Sequence, residues 1–286
     1  MKNNMVVNFP DPNLESIIRL EINKPIGEIL ACDLFGIKSL SASNKDISNI
    51  TGLECCTALT YLGLDNNSIS DLSPIRELTE LTSLDLHNTS ITDISSLSRL
   101  TALTELYLYY NLISDISPLS GLTALTYLHL DNNSISDISP LSGLAELEDL
   151  YLDGNSITDI STLSRLTGLT ELCLSYNSIT DVSPLSRLTA LEILGLDNNS
   201  ITDISPLSGL TALTYLHLAN NSISDITPLN RLTALKYLYL QNNDMEIKPG
   251  TTQGQTNLDI VNRHLDNECD VNWKYGNKTE IRGENK

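Results

Sequence analysis

A strict period of 22 residues constrains this chain more than any other feature of its sequence. Leucines recur at this spacing from Leu59 to Leu235, and each begins the pattern L-x-x-L-x-L-x-x-N-x-I-x-D-I-x-P-L-x-x-L. One copy is too short to bury its own apolar face, whereas stacked copies form a continuous core. The period therefore predicts an uninterrupted repeat array over residues 37–248.

Each position of the repeat has a predicted environment. In the copy "LTYLHL", Leu125, Leu128 and Leu130 are expected in the core, and the residues between them point outward because side chains alternate along a strand. Strands of successive copies would pair in parallel at about 4.8 Å. Most copies have an Asn at the same position of the repeat, and we call these residues the Asn column. Its member in this copy, Asn133, is expected to bond backbone groups where the chain leaves the sheet. Thr89 interrupts the Asn column, and its hydroxyl would replace part of that role.

The second half of each repeat predicts a short turn. Ser followed by Pro, as at Ser139-Pro140, is typical of a helix N-cap and first helical residue. About six residues remain before the next strand, so a 3₁₀-like turn is expected on the outer side. The preceding Asp137 is interpreted as a cap for the turn backbone. One carboxylate per repeat does not supply the six or more oxygens of a calcium site.

Two flanking segments differ from the repeat. In "FPDPNLESIIRLEI", Asp11 and Pro12 predict a helix start, as N-cap and first helical residue. The apolar residues of this helix recur at helical spacing: Leu14, Ile17, Ile18 and Ile22. In "NLDIVNRHLDNECDVNW", a closing helix is expected to bury Leu258, Val261 and Leu265, and a final strand follows it.

The repeat "LTxLxxLxLxxNxISDISPLSxL" with these two segments resembles the bacterial internalins, a family of leucine-rich-repeat proteins, over roughly residues 9–273. The resemblance implies an α/β solenoid: a leucine-rich-repeat horseshoe with a concave parallel β-sheet and 3₁₀-like turns on the convex face. It also implies three parts: a helical N-terminal cap (1–36), the array (37–248), and a helix–strand cap with a tail (249–286). The function it implies is protein recognition through the concave face, as an adhesin or effector.

Two other functions stay open from the sequence. Regulators of protein phosphatase-1 have similar 22-residue repeats, so an intracellular scaffold is the alternative to the internalin-like module. A structural spacer without a specific ligand is the third. The N-terminus lacks the apolar segment of a secretory signal, which places the chain as given in the cytoplasm. A secreted or cell-surface location would follow from the internalin resemblance if a signal had been removed.

Net charge narrows the class of partner. A formal charge of −19 opposes binding to nucleic acid and to anionic membranes, and it favours a protein with a basic or amine-bearing surface. No apolar run is long enough for membrane insertion. The five cysteines are too scattered for a disulfide framework. Free thiols are therefore expected, although a pair of Cys32 with Cys55 or Cys56 stays open.

Tyrosines concentrate at the outward strand positions. The segment "ELYLYYN" places Tyr107, Tyr109 and Tyr110 on one exposed strand face, and Tyr offers large contact area at low entropic cost. The alternative is exposed strand filler, because Tyr favours strands. The predicted protein-binding residues are Tyr107, Tyr109, Tyr110, Tyr127, His129, Tyr151 and Tyr176, with the carboxylates Asp85, Glu105, Asp131, Asp149, Asp153 and Glu171. A second candidate patch comprises Tyr215, His217, Tyr237 and Tyr239.

No sequence feature indicates an enzyme. The chain has no phosphate-binding loop, nucleophile elbow or metalloprotease motif. His129 and His217 lie four strands apart, and the predicted neighbours of Cys173, Tyr151 and Gly195, include no base to activate the thiol. We therefore expect no catalytic residue, no metal and no cofactor.

Overall fold

The computed structural model describes residues 4–247 and 250–273, and the chain divides into two compact units, Met1–Leu147 and Glu148–Lys286. This division does not test the predicted boundaries after residues 36 and 248, which stay predictions. The boundary after residue 248 and the predicted tail beyond residue 273 also lie outside the described residues.

The first unit begins with a helical cap. Helix α1 spans Pro12–Glu21 and begins where predicted: the Asp11 carboxylate accepts hydrogen bonds from the backbone N–H groups of Asn13 and Leu14. Helix α2 spans Ala31–Leu34. An antiparallel bridge joins Val6 to Leu30 and ties the first residues to this cap.

Five short strands follow in the first unit: β1 (Ser39–Ser41), β2 (Tyr61–Gly63), β3 (Ser83–Asp85), β4 (Glu105–Tyr107) and β5 (Tyr127–His129). Each pairs in parallel with the next, and the register matches residues 22 positions apart, such as Leu84 with Leu106. The period of the sequence therefore becomes the register of the sheet. Because the match is in steps of 22, like positions of the repeat form straight columns across the strands.

The second unit continues the pattern with six strands: β6 (Asp149–Tyr151), β7 (Glu171–Cys173), β8 (Ile193–Gly195), β9 (Tyr215–His217), β10 (Tyr237–Tyr239) and β11 (Asp270–Asn272). They also pair in parallel and in sequence order. Strand β11 is the predicted final strand.

Short 3₁₀ helices lie opposite the strands in both units. Those of the first unit are Leu53–Cys55, Ser73–Ile75, Ser95–Arg99, Ser117–Gly121 and Ser139–Gly143. Those of the second are Ser161–Arg165, Ser183–Arg187, Ser205–Gly209 and Thr227–Arg231. The predicted 3₁₀ turns are thus confirmed, and each unit has the two sides of a leucine-rich repeat.

The predicted N-cap of these turns is wrong. Ser139 is the first residue of its 3₁₀ helix, and no side chain of the residue before it caps the helix. The cap is supplied by Asp137, whose Oδ1 accepts from the Ser139 backbone N–H at 2.8 Å. The same Asp–Ser bond recurs at Asp115 and Ser117. The carboxylate reaches the N–H two residues on, as predicted for the Asp column.

The core is built from the periodic apolar residues. Leu125, Leu128 and Leu130 are fully buried, as are the leucines at matching positions of neighbouring strands. Ile135 and Leu141, from the turn half of the same repeat, pack into the same interior. Burying such side chains contributes roughly 1.5–3 kcal/mol each before the entropy of ordering is subtracted.

An asparagine in each repeat bonds to the repeat before it. In the first unit, Asn133 Nδ2 donates to the backbone oxygens of Leu108 and Leu130, both at 3.0 Å. Its Oδ1 accepts from the Ile113 N–H at 3.0 Å. Where Thr89 replaces Asn, its hydroxyl donates to Leu86 O at 2.7 Å, which confirms the predicted partial replacement.

The closing helix differs in rotation from the prediction. Helix α3 spans Thr252–Asp266, and its buried face is Gly254, Asn257, Ile260, Val261 and His264. Val261 is buried as expected, whereas Leu258 and Leu265 are only half-buried. The helix turns its polar Asn257 and His264 inward because both bond the last repeat: Asn257 Nδ2 donates to Ser224 O at 2.9 Å, and His264 Nε2 lies 3.1 Å from Leu229 O.

None of the five cysteines, all of which lie within the described residues, is in a disulfide, as expected. Cys32 is exposed, Cys55 half-buried and Cys56 buried, and burial raises the pKa of the Cys56 thiol to about 12. Within residues 4–247 and 250–273, no helix is both long and apolar enough to cross a membrane.

Candidate functional site

The strands direct two residues each to the exposed face of the sheet. In β5, Leu128 is buried between the half-buried Tyr127 and His129. The other strands repeat this alternation except β2 and β8, in which Gly63 and Gly195 at the second outward position are buried. The residues that follow each strand add a third and a fourth column to this face. The sequence-predicted binding residues all lie in these four columns, and Tyr110 and Tyr176 lie in the turn that follows a strand.

Three aromatic rings of the first unit stack into one column on this face. The ring centroids of His87 and Tyr109 lie 4.2 Å apart with planes 8° from parallel. The Tyr109 ring stacks in turn on His129, at 4.3 Å and 28°. We call these residues the His–Tyr–His stack. Such offset stacking contributes roughly 0.5–1.5 kcal/mol per pair beyond area burial.

Three further tyrosines surround the stack. The rings of Tyr107 and Tyr127 are 4.9 Å apart, and Tyr127 meets His129 edge-on at 6.3 Å. Tyr110 meets Tyr109 edge-on at 5.8 Å and keeps 59% of its surface exposed. The structure thus brings together the predicted aromatic residues of the first unit.

Carboxylates bracket the stack on both sides. His87 Nδ1 lies 2.7 Å from Asp85 Oδ1, and His129 Nε2 lies 2.6 Å from Asp131 Oδ2. Glu105 accepts a hydrogen bond from Ser83 Oγ at 2.9 Å. The two aspartate bonds hold the imidazole rings against Tyr109. The predicted residues Asp85 and Asp131 therefore position the imidazole rings, and Glu105 adds negative charge to the surface.

The charges of this face are unbalanced. The outward columns of β2 to β5 contain no Lys or Arg, and His87 and His129 are the only residues in them with a basic side chain. Burial raises the pKa of the Tyr107 and Tyr109 hydroxyls, and the neighbouring carboxylates raise it further. Both tyrosines are accordingly neutral hydroxyls near pH 7. The face combines aromatic rings with net negative charge.

Sequence reasoning left three residues out of this cluster. His87 forms one end of the stack, Tyr61 lies over Gly63, and Asp65 lies 3.7 Å from His87 Nε2 through its Oδ2. All three occupy the same outward columns as the predicted residues. Their position in these columns could have identified them from the sequence. The prediction instead centred on the tyrosines at 105–111.

Asp65, Asp85 and His87 offer ligand atoms within 4.8 Å of one another, close enough to surround a metal ion. Each is already engaged: His87 by Asp85, and Asp65 by the Asn66 amide at 2.7 Å and by the Ser43 hydroxyl. Asn66 Nδ2 also lies 3.1 Å from His87 Nε2. The geometry therefore favours a hydrogen-bonded cluster, and we assign no metal to it.

The second unit presents a separate acidic group. Asp149 and Glu171 are paired directly across β6 and β7, and Tyr151 faces Cys173. Burial raises the pKa of Glu171; a hydrogen bond from Tyr151 opposes the shift and the Asp149 charge adds to it. Asp153 accepts from the Ser175 N–H at 2.5 Å. Tyr176 is 65% exposed. The grouping of these residues with the aromatic cluster of the first unit stays a prediction.

The second candidate patch also consists of stacked rings. Tyr215 and Tyr237 stack at 4.6 Å, and His217 and Tyr239 at 4.4 Å. His217 Nδ1 lies 3.2 Å from Asp197 Oδ2. Its four residues are brought together as predicted.

Comparisons with known proteins agree with the fold. The family model for leucine-rich repeats in two copies matches residues 79–121, 123–165, 167–209 and 211–249. No curated protein matches the chain.

Solved structures of Listeria monocytogenes internalins resemble the chain. The internalin inlF is 32% identical with a TM-score of 0.70, covering 94% of this chain and 96% of its own. The internalin C2 is 34% identical with a TM-score of 0.61, covering 82% and 94%. The functional domain of InlJ is 28% identical with a TM-score of 0.74, covering 87% and 54%.

Proposed function

Because the chain belongs to the internalin-type leucine-rich-repeat proteins, which are non-enzymatic protein-interaction modules, we propose that it binds a protein partner through the exposed face of its sheet, as an internalin-like adhesin or effector. The proposal rests on one observation above all. The His–Tyr–His stack and the three tyrosines around it form a pre-ordered aromatic surface on that face.

Aromatic residues suit this role for a physical reason. Tyr buries a large area and loses only two side-chain torsions on binding, so little of the contact energy is spent on ordering. In the His–Tyr–His stack, part of that ordering has already occurred in the free protein, because the rings hold one another in place. Pre-ordering of this kind raises affinity by lowering the entropy lost on association.

The partner surface that fits is basic. The carboxylates Asp65, Asp85, Glu105 and Asp131 surround the rings, and no Lys or Arg of the outward columns neutralises them. A partner Lys or Arg would gain both charge complementarity and a ring face on which to lie. Repulsion from a net charge of −19 would disfavour acidic partners.

The test compares the parent chain with a Tyr107/Tyr109/Tyr110→Ala variant as bait. Proteins are captured from a surface-exposed membrane fraction and from a whole-cell lysate, and identified by mass spectrometry. A Tyr215/Tyr237/Tyr239→Ala variant is the matched control, because it removes the same number of tyrosines from the second patch. Urea unfolding of all three chains checks the fold, and we expect losses of no more than about 2 kcal/mol from the missing ring pairs.

A surface protein held by the parent and the control but lost by the first variant would support an adhesin. A cytosolic protein with that pattern would support the alternative of an intracellular scaffold. Equal captures by all three baits would contradict binding through the aromatic face and favour a structural spacer.

A further inference from the structure

The position after the third exposed column adopts a left-handed backbone throughout the array. This position, the eighth of the repeat, has a φ between +52° and +65° wherever the turn follows strands β2 to β10. Its occupants are Asn66, Asn88, Tyr110, Asn132, Gly154, Tyr176, Asn198, Asn220 and Asn242. Left-handed backbone is costly for most residues, and Gly and Asn tolerate it best. Seven of the nine repeats therefore carry a residue that suits the turn, and two carry Tyr.

The turn imposes this conformation whatever the side chain. The backbone N–H of Asn88 donates to Tyr109 O at 3.0 Å, and the N–H of Tyr110 makes the equivalent bond to Asp131 O at 2.9 Å. In the second unit, the N–H of Tyr176 donates to Asp197 O at 2.8 Å, and that of Asn220 to Gln241 O at 2.9 Å. The bond is the same with Asn and with Tyr, so the tyrosine ring does not create the left-handed backbone.

Asparagine at this position also gains a bond that tyrosine forfeits. Asn88 Nδ2 donates to Asn66 Oδ1 at 2.8 Å, and Asn242 Nδ2 donates to Asn220 Oδ1 at 2.5 Å. Tyr110 follows Asn88 in the column and ends the first of these amide ladders. Tyr at this position thus carries backbone strain, and Tyr110 in addition does not continue the amide ladder of Asn66 and Asn88.

The rings of Tyr110 and Tyr176 bury little of their surface in the fold. Tyr110 and Tyr176 keep 59% and 65% of their surfaces exposed, among the largest exposed fractions of any large apolar or aromatic residue within the described array. Their placement opposes the ordinary tendency of a large ring to be covered. Residues held in strained backbone conformations are concentrated at binding and functional sites.

We infer that Tyr110 in the first unit and Tyr176 in the second are each an anchor residue for a protein ligand, kept at a cost in fold stability. This inference rests on the proposed function and names the residues and side-chain chemistry of the contact. The backbone N–H of each tyrosine donates to the backbone carbonyl oxygen of an aspartate at the seventh position of the next repeat, Asp131 or Asp197. Each aspartate is itself paired with a histidine, His129 or His217. A ring face beside a fixed carboxylate fits a Lys or Arg side chain of the partner.

The stability arm of the test needs no partner. Tyr110→Asn and Tyr176→Asn should each raise the Tm by about 2–4 °C, because Asn relieves the left-handed strain. Asn132→Tyr, which introduces the same conflict at a repeat that lacks it, should lower the Tm by a similar amount. Tyr110→Phe keeps both the ring and the strain, and it should keep the Tm of the parent.

The binding arm uses a defined probe: random twelve-residue peptides displayed on phage and selected on the parent chain. Selected sequences are made as labelled peptides, and their Kd values are measured by fluorescence anisotropy. We expect Lys- or Arg-containing peptides that bind Tyr110→Asn or Tyr176→Asn at least tenfold more weakly, with Tyr110→Phe restoring affinity lost in Tyr110→Asn. A Tyr107/Tyr127→Ala variant reports on the aromatic face independently of the two anchors.

The outcomes separate the two proposals. A lower Tm in either Asn variant would overturn the anchor inference, since the tyrosine would then be a stabilising residue. A higher Tm with unchanged Kd values, beside peptides lost by Tyr107/Tyr127→Ala, would leave the binding face standing and remove the anchors. Selected peptides that depend on neither set of tyrosines would contradict both.

Discussion

Asn221 offers the sharpest test of how the repeats are held together. It is buried, and it serves four backbone groups: its Nδ2 donates to Leu196 O at 2.9 Å, Leu218 O at 3.1 Å and Ala219 O at 3.3 Å, and its Oδ1 accepts from the Ile201 N–H at 3.0 Å. Asn221→Ala leaves the Ile201 N–H unpaired, whereas each of the three carbonyls keeps a second donor, from Asn199, Asn243 and Asn198. Asn221 lies in the second unit, far along the chain from the aromatic cluster of the first unit. The measured change in stability therefore does not involve the residues of that cluster.

The expected loss follows from these bonds. The unsatisfied Ile201 N–H costs about 1–3 kcal/mol, and each further hydrogen bond lost at the carbonyls costs roughly 0.5–1 kcal/mol, so we expect Asn221→Ala to lower the free energy of unfolding by about 3 kcal/mol. Asn221→Thr is the matched variant, because Thr89 shows what a hydroxyl achieves in this column: it keeps the bond to the carbonyl three residues earlier. The Thr variant should lose about half as much.

Urea unfolding followed by circular dichroism measures both losses. With a slope of about 3 kcal/mol per molar urea, the midpoint should fall by about 1 M for Ala and about 0.5 M for Thr at an unchanged slope. A midpoint within 0.2 M (about 0.6 kcal/mol) of the parent for Asn221→Ala would refute the reasoning. Equal losses for Ala and Thr would refute the assignment of half the effect to the carbonyl bond.

Two further predictions concern the caps. Burial lowers the pKa of His264 below its ordinary value, so the unfolded chain binds the proton more readily than the folded chain. The free energy of unfolding should therefore fall as the pH drops below about 6.5. His264→Gln should make unfolding midpoints at pH 7.5 and 5.5 more nearly equal than they are in the parent. An equal slope in the variant would show that another group titrates. Burial would raise the pKa of Asp11, but the N–H groups of Ser48, Leu14, Asn49 and Asn13 together lower it, so this carboxylate stabilises the cap above about pH 4 and loses that effect as the pH falls further. Asp11→Ala should cost about 2 kcal/mol in thermal or urea unfolding at pH 7, and a parent-like midpoint would contradict its capping role.

The repeat half of the fold was predictable because one period determines three things together. A leucine such as Leu128 is buried, its neighbours point outward, and its partner on the next strand lies 22 residues away, all from the same spacing. No long-range information is needed when each element contacts the next copy of itself. The Asn column was predictable for a similar reason, since the end of each strand leaves backbone groups that only a short amide side chain reaches.

The errors arose where two residues compete for one role. Ser139 and Asp137 are both good capping residues, and the sequence predicted a capping role for each, whereas only the carboxylate, two positions earlier, bonds to the turn N–H. In α3, apolar spacing favoured Leu258 and Leu265, but Asn257 and His264 are drawn inward by backbone oxygens of the last repeat. Hydrophobic periodicity does not predict hydrogen bonds to groups that are distant in sequence.

The candidate site was predictable in its columns but not in its contacts. That Tyr107, Tyr109 and Tyr127 face outward follows from strand alternation. That His87 stacks on Tyr109, with Asp85 holding the imidazole, depends on side-chain torsions that no spacing rule fixes. The left-handed backbone at Tyr110 was likewise hidden, because the sequence shows the substitution of Asn by Tyr but not the φ that makes it costly.

The direction of the asparagine bonds has a consequence for synthesis. Each such asparagine completes the turn of the repeat before it, as Asn221 does by accepting from an N–H 20 residues earlier. A growing chain therefore carries, at every moment, one newest repeat whose turn is unfinished until its successor leaves the ribosome. Within a unit, each new repeat is in turn the one whose backbone groups lack their asparagine partner. This ends when α3 has been synthesised and Asn257 bonds to the backbone oxygens of Ser224 and Glu246. The order of translation and the order of completion are thus the same.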